Sequence, residues 1–338
     1  MSRRELALGM ESAGRCMVRV STPSRLHFGL IPIPCRGLGR YAGVGLALSS
    51  PTVVVEAAIA AQHRVVGSQR DRVERVLREV VRSVEGAHSQ GVALRVVAAP
   101  PAHQGLGSGT QLSLATAVAV YRLLGVPFDL WNVARKLGRG RRSAIGVAVF
   151  EGGGFLIDCG RTASACGPEQ LRRLRWPPDW RFVAVRLTPV AEISGAVEEA
   201  VFSDPDSLVM DRQVPEEMAR LLLDEIPAAV ADRDFTWFVG VLGTYGRLAG
   251  RCFERFQGGF FAHPMAERIA RFTERQWGLP ALQSSWGPTV AIPTPSAEEA
   301  DRVRHRLEVE FQAELDELFV SEVASHGALV EKRQTTWS

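Results

Sequence analysis

The segment Pro101-Ala-His-Gln-Gly105-Leu-Gly107-Ser108-Gly109-Thr110-Gln111 constrains the fold more than any other part of the sequence. Glycines at alternate positions let a backbone turn and approach a ligand without a Cβ clash. The apolar run Thr110 to Leu124 reads as a helix, ended by Gly125 and Pro127. Such a helix turns its free N–H groups and positive dipole end back onto the loop. Ser108 and Thr110 add hydroxyls. Together these features predict an anion site of the phosphate kind. The plainer alternative is a capped helix start after a tight turn, with Ser108 or Thr110 as the cap. No lysine follows the glycines, so this is not a P-loop, and a third glycine is missing for the dinucleotide fingerprint.

The rest of the sequence supplies an α+β frame. Cys16 to Ser21 and Pro23 to Leu30 read as two extended segments, followed by a glycine-rich loop from Gly37 to Gly45. Val53 to Ile59 and Val92 to Ala98 read as strands. Between them, Asp71 to Val84 has helical apolar spacing with arginines and glutamates on its other face. Leu130 to Leu137 reads as a short helix, and Ile145–Phe150 with Phe155–Asp158 as a hairpin around the Gly152–Gly154 turn. Pro177 and Pro178 mark a boundary, which predicts domains over 15–176 and 179–325. Beyond it, Arg181 to Leu187 reads as a strand. Pro215–Ala229, Phe235–Phe256, Pro264–Trp277 and Ala297–Leu315 read as helices, and Thr289–Ile292 and Leu318–Val323 as strands. That order suits helices on one face of an antiparallel sheet. The tail after Ser325 is polar and reads as loose.

Composition narrows the partners. The net charge of +3 argues against a nucleic-acid or membrane surface. Lys136 and Lys332 are the only lysines, so a phosphate grip must come from arginine, backbone N–H groups or a metal. Cys16, Cys35, Cys159, Cys166 and Cys252 are odd in number and scattered, which suits a reducing cytosol. Met1 to Gly14 lacks the apolar core of a signal peptide. These points predict a cytoplasmic protein acting on a small molecule.

The loop matches P-x-x-x-G-L-G-S, the signature of the GHMP superfamily of small-molecule kinases and relatives. Other blocks then align. Pro23-Ser24-Arg25-Leu26-His27-Phe28-Gly29-Leu30 resembles the first GHMP motif in the form used by β-ribofuranosylaminobenzene 5'-phosphate synthases. Gly105–Gln111 is similar to that family's loop, with Gly109 where the kinases usually carry a second serine. Gly138-Arg139-Gly140 through Gly146, and Phe150 to Asp158, resemble its central block. Gln283-Ser284-Ser285-Trp286-Gly287-Pro288-Thr289 resembles its C-terminal block, and this block makes the resemblance specific. Arg141, Arg142 and Ala144 depart from it, standing where smaller residues and a glycine are expected.

The resemblance implies a GHMP two-domain fold: an N-terminal unit like ribosomal protein S5 domain 2, and a C-terminal ferredoxin-like sandwich. It implies that phosphoribosyl pyrophosphate condenses with 4-aminobenzoate or 4-hydroxybenzoate, releasing carbon dioxide and pyrophosphate, in methanopterin-type cofactor biosynthesis. A homodimer and Mg²⁺ are implied in the same way. Gly105, Leu106, Gly107, Ser108, Gly109, Thr110 and Gln111 become the pyrophosphate loop. Arg25 and Arg139 become phosphate or carboxylate forks, against the alternative of surface ion pairs. His27 becomes a hydrogen-bonding partner of substrate, and Glu151 and Asp158 candidates for Mg²⁺ or ribose hydroxyls. Ser143, Gln283, Ser284, Ser285 and Trp286 become pocket residues, with core packing the alternative for Trp286. Two further readings remain open: a GHMP kinase using ATP, and a silent ligand-binding regulator on the same scaffold.

Overall fold

The computed structural model describes residues 16–84, 91–161, 167–189, 201–204, 208, 211–311 and 314–334. The segment 1–14, Cys166 and His88 lie outside the described residues. Two sheets organise the protein. The first has seven strands. Its backbone is β1 (Cys16–Ile31) paired antiparallel with β2 (Ala42–Ala60). The upper half of β2 pairs with β4 (Gly91–Ala98), which pairs parallel with β3 (Arg64–Val66). The lower half pairs with β5 (Phe155–Asp158), and β5 with β6 (Leu171–Leu174).

The two extended segments expected at 16–30 are one strand. Pro23 lacks an N–H, so it reads as a breaker, but it sits where the ladder steps from Pro23↔Thr52 to Ser24↔Leu48. Three extra residues of β2 are looped out there, and pairing resumes beyond them. The expected glycine loop ends early, because β2 already runs from Ala42.

Three helices cover one face of this sheet: α1 (Arg70–Ser83), α2 (Ser108–Leu124) and α3 (Leu130–Lys136). Val73, Leu77 and Val80 of α1 and Leu114, Val118 and Tyr121 of α2 meet Val18, Val20, Val53 and Val55 from the strands. A second correction concerns Ile145–Gly152, which is helix α4 rather than a hairpin strand. Ile145, Gly146, Val147, Ala148, Val149 and Phe150 are all buried, so no polar face revealed the helical period.

The second sheet has four antiparallel strands in the order β10, β7, β9, β8: β7 (Arg181–Arg186), β8 (Leu282–Gln283), β9 (Val290–Thr294) and β10 (Glu317–Glu322). Its helices are α5 (Gln213–Arg220), α6 (Ile226–Ala231), α7 (Phe235–Gln257), α8 (Pro264–Trp277) and α9 (Ala297–Phe311). A π-helical turn, Leu221–Glu225, joins α5 to α6 within the single helix expected from sequence. One hydrophobic core runs through both units. Leu26 and Phe28 of β1 share it with Phe182, Phe238 and Ile292, and the Phe28 and Phe182 rings stack at 6.0 Å.

The polar tail is also ordered. Leu329–Gln334 forms β11, which pairs antiparallel with Cys16–Ser21 of β1 and closes the edge of the first sheet. All six residues are exposed, so main-chain bonds hold the strand and no burial pattern announced it. The chain reaches β11 by crossing the glycine turn after α4. There Gly154 N donates to Ala324 O, Ala328 N donates to Phe150 O, and a Cβ on Gly153 would stand 2.3 Å from His326 O. No helix among the described residues is long and apolar enough to cross a membrane.

Candidate active site

Three sequence-distant motifs meet at one point. Gly105 and Gly107 adopt φ of +80° and +68°, the left-handed region that glycine enters without strain. Gly107 O then accepts from Thr110 N and Gln111 N, which starts α2. Leu106 points into the core, while its carbonyl accepts from Arg25 N at 3.0 Å. The C-terminal block docks onto the same loop. Ser284 Oγ donates to Gly105 O at 2.6 Å and accepts from His27 N at 3.0 Å. Ser285 N donates to His27 O at 2.7 Å, and Thr289 Oγ1 donates to Gln104 O. Gln283 Oε1 accepts from Ala262 N, and its amide donates to Ser285 O at 3.1 Å, which supports Ser285 at φ 57°.

Two cavities open on either side of this junction. The first, about 190 Å³, lies over the start of α2. Arg25, Arg72 and Arg139 line it with Gly107, Gly109 and Thr110, and among the described residues no carboxylate does. The second, about 210 Å³, is walled by Phe202, Phe253, Phe260 and Trp286. Ser285 and Trp286 line both cavities. Trp286 sits edge-on to Phe253 at 4.8 Å and to Phe202 at 5.8 Å. Arg142, one of the departures from the family pattern, stacks its guanidinium over Phe202 at 4.5 Å and so backs the aromatic wall.

The residues expected at the site divide into two groups. Arg25, Gly105, Gly107, Ser108, Gly109, Thr110, Arg139, Ser285 and Trp286 surround the cationic cavity, and Gln283 lines the aromatic one. Ser108 also ties the loop, its Oγ donating to Pro101 O at 3.1 Å. Gln111 is fully buried: it accepts from Thr22 Oγ1 and donates to Gly146 O, bridging β1, α2 and α4. Asp158 is buried at the start of α4, where it accepts from Ala144 N, Gly160 N and Ser143 Oγ. Burial raises its pKa, against the pull of those bonds and of Arg161. Ser143 in turn accepts from Ile145 N, so both side chains act on the helix start. Glu151 lies at the other end of α4, accepts from Trp131 Nε1 at 2.8 Å, and lines neither cavity.

His27 is 3 % exposed and belongs to the lining of the aromatic cavity. Its Nε2 is buried without a hydrogen bond, 3.3 Å from where a Cβ on Gly43 would stand. Burial, and then the charge of Arg25, lower its pKa well below the usual imidazole value, so the ring is neutral at physiological pH. Arg72 joins the site from outside the expected residues. It stands on the charged face of α1, in the first turn with Arg70, where a cation opposes the helix dipole.

Among the described residues no group of three or more His, Cys, Asp or Glu side chains could hold a metal ion. With no carboxylate in the cationic cavity either, the donor set does not fit a resident Mg²⁺.

Residues 71–154 match the family described as GHMP kinases N terminal domain. The chain is 29 % identical over 293 residues to "Beta-ribofuranosylphenol 5'-phosphate synthase" of Methanothermobacter thermautotrophicus, covering 80 % of this chain and 87 % of the relative. It is 31 % identical over 295 residues to the protein of the same name from Archaeoglobus fulgidus, covering 83 % and 88 %. Among solved structures, a homoserine kinase from Cytophaga hutchinsonii superposes with a TM-score of 0.61 at 18 % identity, over 93 % of this chain and 97 % of its own. That likeness shows the GHMP fold, in keeping with the two-sheet architecture.

Proposed function

The chain belongs to the β-ribofuranosylphenol 5'-phosphate synthase family, and on that premise we propose that it condenses phosphoribosyl pyrophosphate with 4-hydroxybenzoate, releasing carbon dioxide and pyrophosphate. One observation carries the reading: a cationic cavity over a helix N-terminus opens beside an aromatic cavity, and Ser285 and Trp286 border both. The two substrates have the matching chemistry, a polyanionic sugar and a flat apolar ring.

In this reading the diphosphate lies over Gly107–Thr110, where amides, the α2 dipole and arginine charge stabilise it as it leaves. The bond from C1 to the diphosphate oxygen breaks, and its electron pair departs with pyrophosphate. The ring carbon bearing the carboxylate, enriched by the para oxygen, attacks C1 and forms the C–C bond. The carboxylate then leaves as carbon dioxide, and the electron pair it releases restores aromaticity. The protein's part is to orient the two substrates and exclude water. A Mg²⁺ ion, where needed, arrives with the diphosphate as part of the substrate. The biosynthetic role and homodimer implied by the family resemblance, and the cytoplasmic location expected from composition, belong to the same proposal.

The test is to incubate the purified protein with phosphoribosyl pyrophosphate and either 4-hydroxybenzoate or 4-aminobenzoate. Carbon dioxide and pyrophosphate should appear in equal amounts, faster with the hydroxy acid. Turnover of ATP on alcohols, without pyrophosphate release from the sugar, would instead establish a kinase. Gly109 already argues against the kinase, because it leaves out the serine the kinases usually carry.

A further inference from the structure

Arg72 lies outside every motif in the sequence, yet it reaches the cationic cavity. It is the third residue of α1, whose start is pinned to the loop by Gln69, with Nε2 donating to Pro100 O at 3.1 Å. From there the half-buried guanidinium extends over the first turn of α2. A Cβ built on Gly109 would stand 2.1 Å from Arg72 Nη1. Gly109 has ordinary helical backbone within α2, so its own conformation does not require glycine. The space it leaves is filled by Arg72.

This is a costly place for a cation. Arg72 sits in the first turn of α1 and above the first turn of α2, so two positive dipole ends face it. Arg25 and Arg139 line the same cavity. Among the described residues no carboxylate pairs with the guanidinium, and no side-chain hydrogen bond holds it. Burial and the neighbouring Arg75 lower its pKa, the signature of a charge short of compensation. An anion in the cavity would supply what the protein does not.

We propose that Arg72 is a ligand of the diphosphate group, admitted to the cavity by the missing side chain at position 109. The inference rests on the function proposed above for the identity of the anion. It assigns the recognition of that anion to a residue delivered from a neighbouring helix. It also gives Gly109 a specific purpose: a side chain there would displace the guanidinium from the α2 N-terminus.

The test uses the full-length protein and inorganic pyrophosphate, titrated by calorimetry, beside steady-state kinetics. Arg72→Ala should weaken pyrophosphate binding about ten- to a hundredfold, the range for a charge-assisted contact. It should raise KM for phosphoribosyl pyrophosphate to match and leave KM for the aromatic acid in place. Gly109→Ala should reproduce the loss without lowering Tm, because alanine suits a helix better than glycine does. The double variant should be no worse than Arg72→Ala alone, since both changes remove one contact. Unchanged pyrophosphate affinity in Arg72→Ala, or additive losses in the double variant, overturns the proposal. Equal rises in both KM values together with a fall in Tm would mean a purely structural role and overturn it too. The binding arm is independent of the condensation. Should the wild type make no product with either acid while Arg72→Ala still loses pyrophosphate, the condensation fails and the Arg72 site stands.

Discussion

The two cavities are built on different plans. The cationic one draws its floor from a single stretch of chain, Gly105 to Thr110, and uses backbone as its main material. The aromatic one has no such stretch. Phe253 and Phe260 come from α7 and the turn after it, Phe202 and Trp286 from two other segments, and they meet only when α7 packs beside β1 and β8. A site made of backbone needs glycines at fixed spacing, which leaves a local signature. A site made of side chains needs only that large residues arrive at one place, and many arrangements do that.

That contrast is open to attack by mutation. The largest effect is expected at the hinge between the plans. Gly105→Ala places a Cβ 2.5 Å from Ser284 O at a φ of +80°, so the loop and the C-terminal block cannot stay docked. Product formation should fall by at least about a hundredfold, with a clear fall in Tm, since left-handed backbone alone costs an L-residue about 1–2 kcal/mol. Retention of activity would mean that the two cavities need not adjoin.

A smaller and more selective effect is expected on the aromatic side. Phe253 lines that cavity only. Phe253→Ala should raise KM for the aromatic acid about tenfold, from lost ring contact and burial, and leave KM for phosphoribosyl pyrophosphate near its starting value. Equal changes in both would show that the cavities do not divide the substrates.

The smallest effect is a pH dependence within the aromatic cavity. His27 has a folded-state pKa below its ordinary value of 6.5, because burial and Arg25 disfavour the cation. The folded state therefore binds fewer protons than the unfolded state, and stability falls as pH drops below 6.5 towards the folded pKa. Between pH 7 and pH 5 the wild-type Tm should decline, and His27→Asn should flatten that decline. An unchanged slope in the variant would assign it to other groups.

The same division explains what could be read in advance. The loop, α2 and the docking block were legible because each is a short run of constrained residues. Trp286 was legible only because it lies inside such a run, whereas Phe202, Phe253 and Phe260 carried no local mark. Helix α4 is hidden in the sequence because burial of every residue from Ile145 to Phe150 erases its period. Strand β11 was missed for the opposite reason, since none of its residues is buried. In the sequence Arg72 is one arginine among several on a solvated helix face. Arg70 shares its end of the helix but pairs with Glu74, so only the neighbouring Gly109 singles Arg72 out.

Strand β11 also fixes an order of events. β1 leaves the ribosome well before its outer neighbour, which lies more than three hundred positions downstream, with Cys16 facing Gln334. Until residues 329–334 emerge, the upper part of β1 is an open edge able to recruit strands from other nascent chains. Completion of the second unit and sealing of that edge are thus nearly the same moment in synthesis. A ribosome stalled between the two would present both sheets with the outer edge of β1 still uncovered.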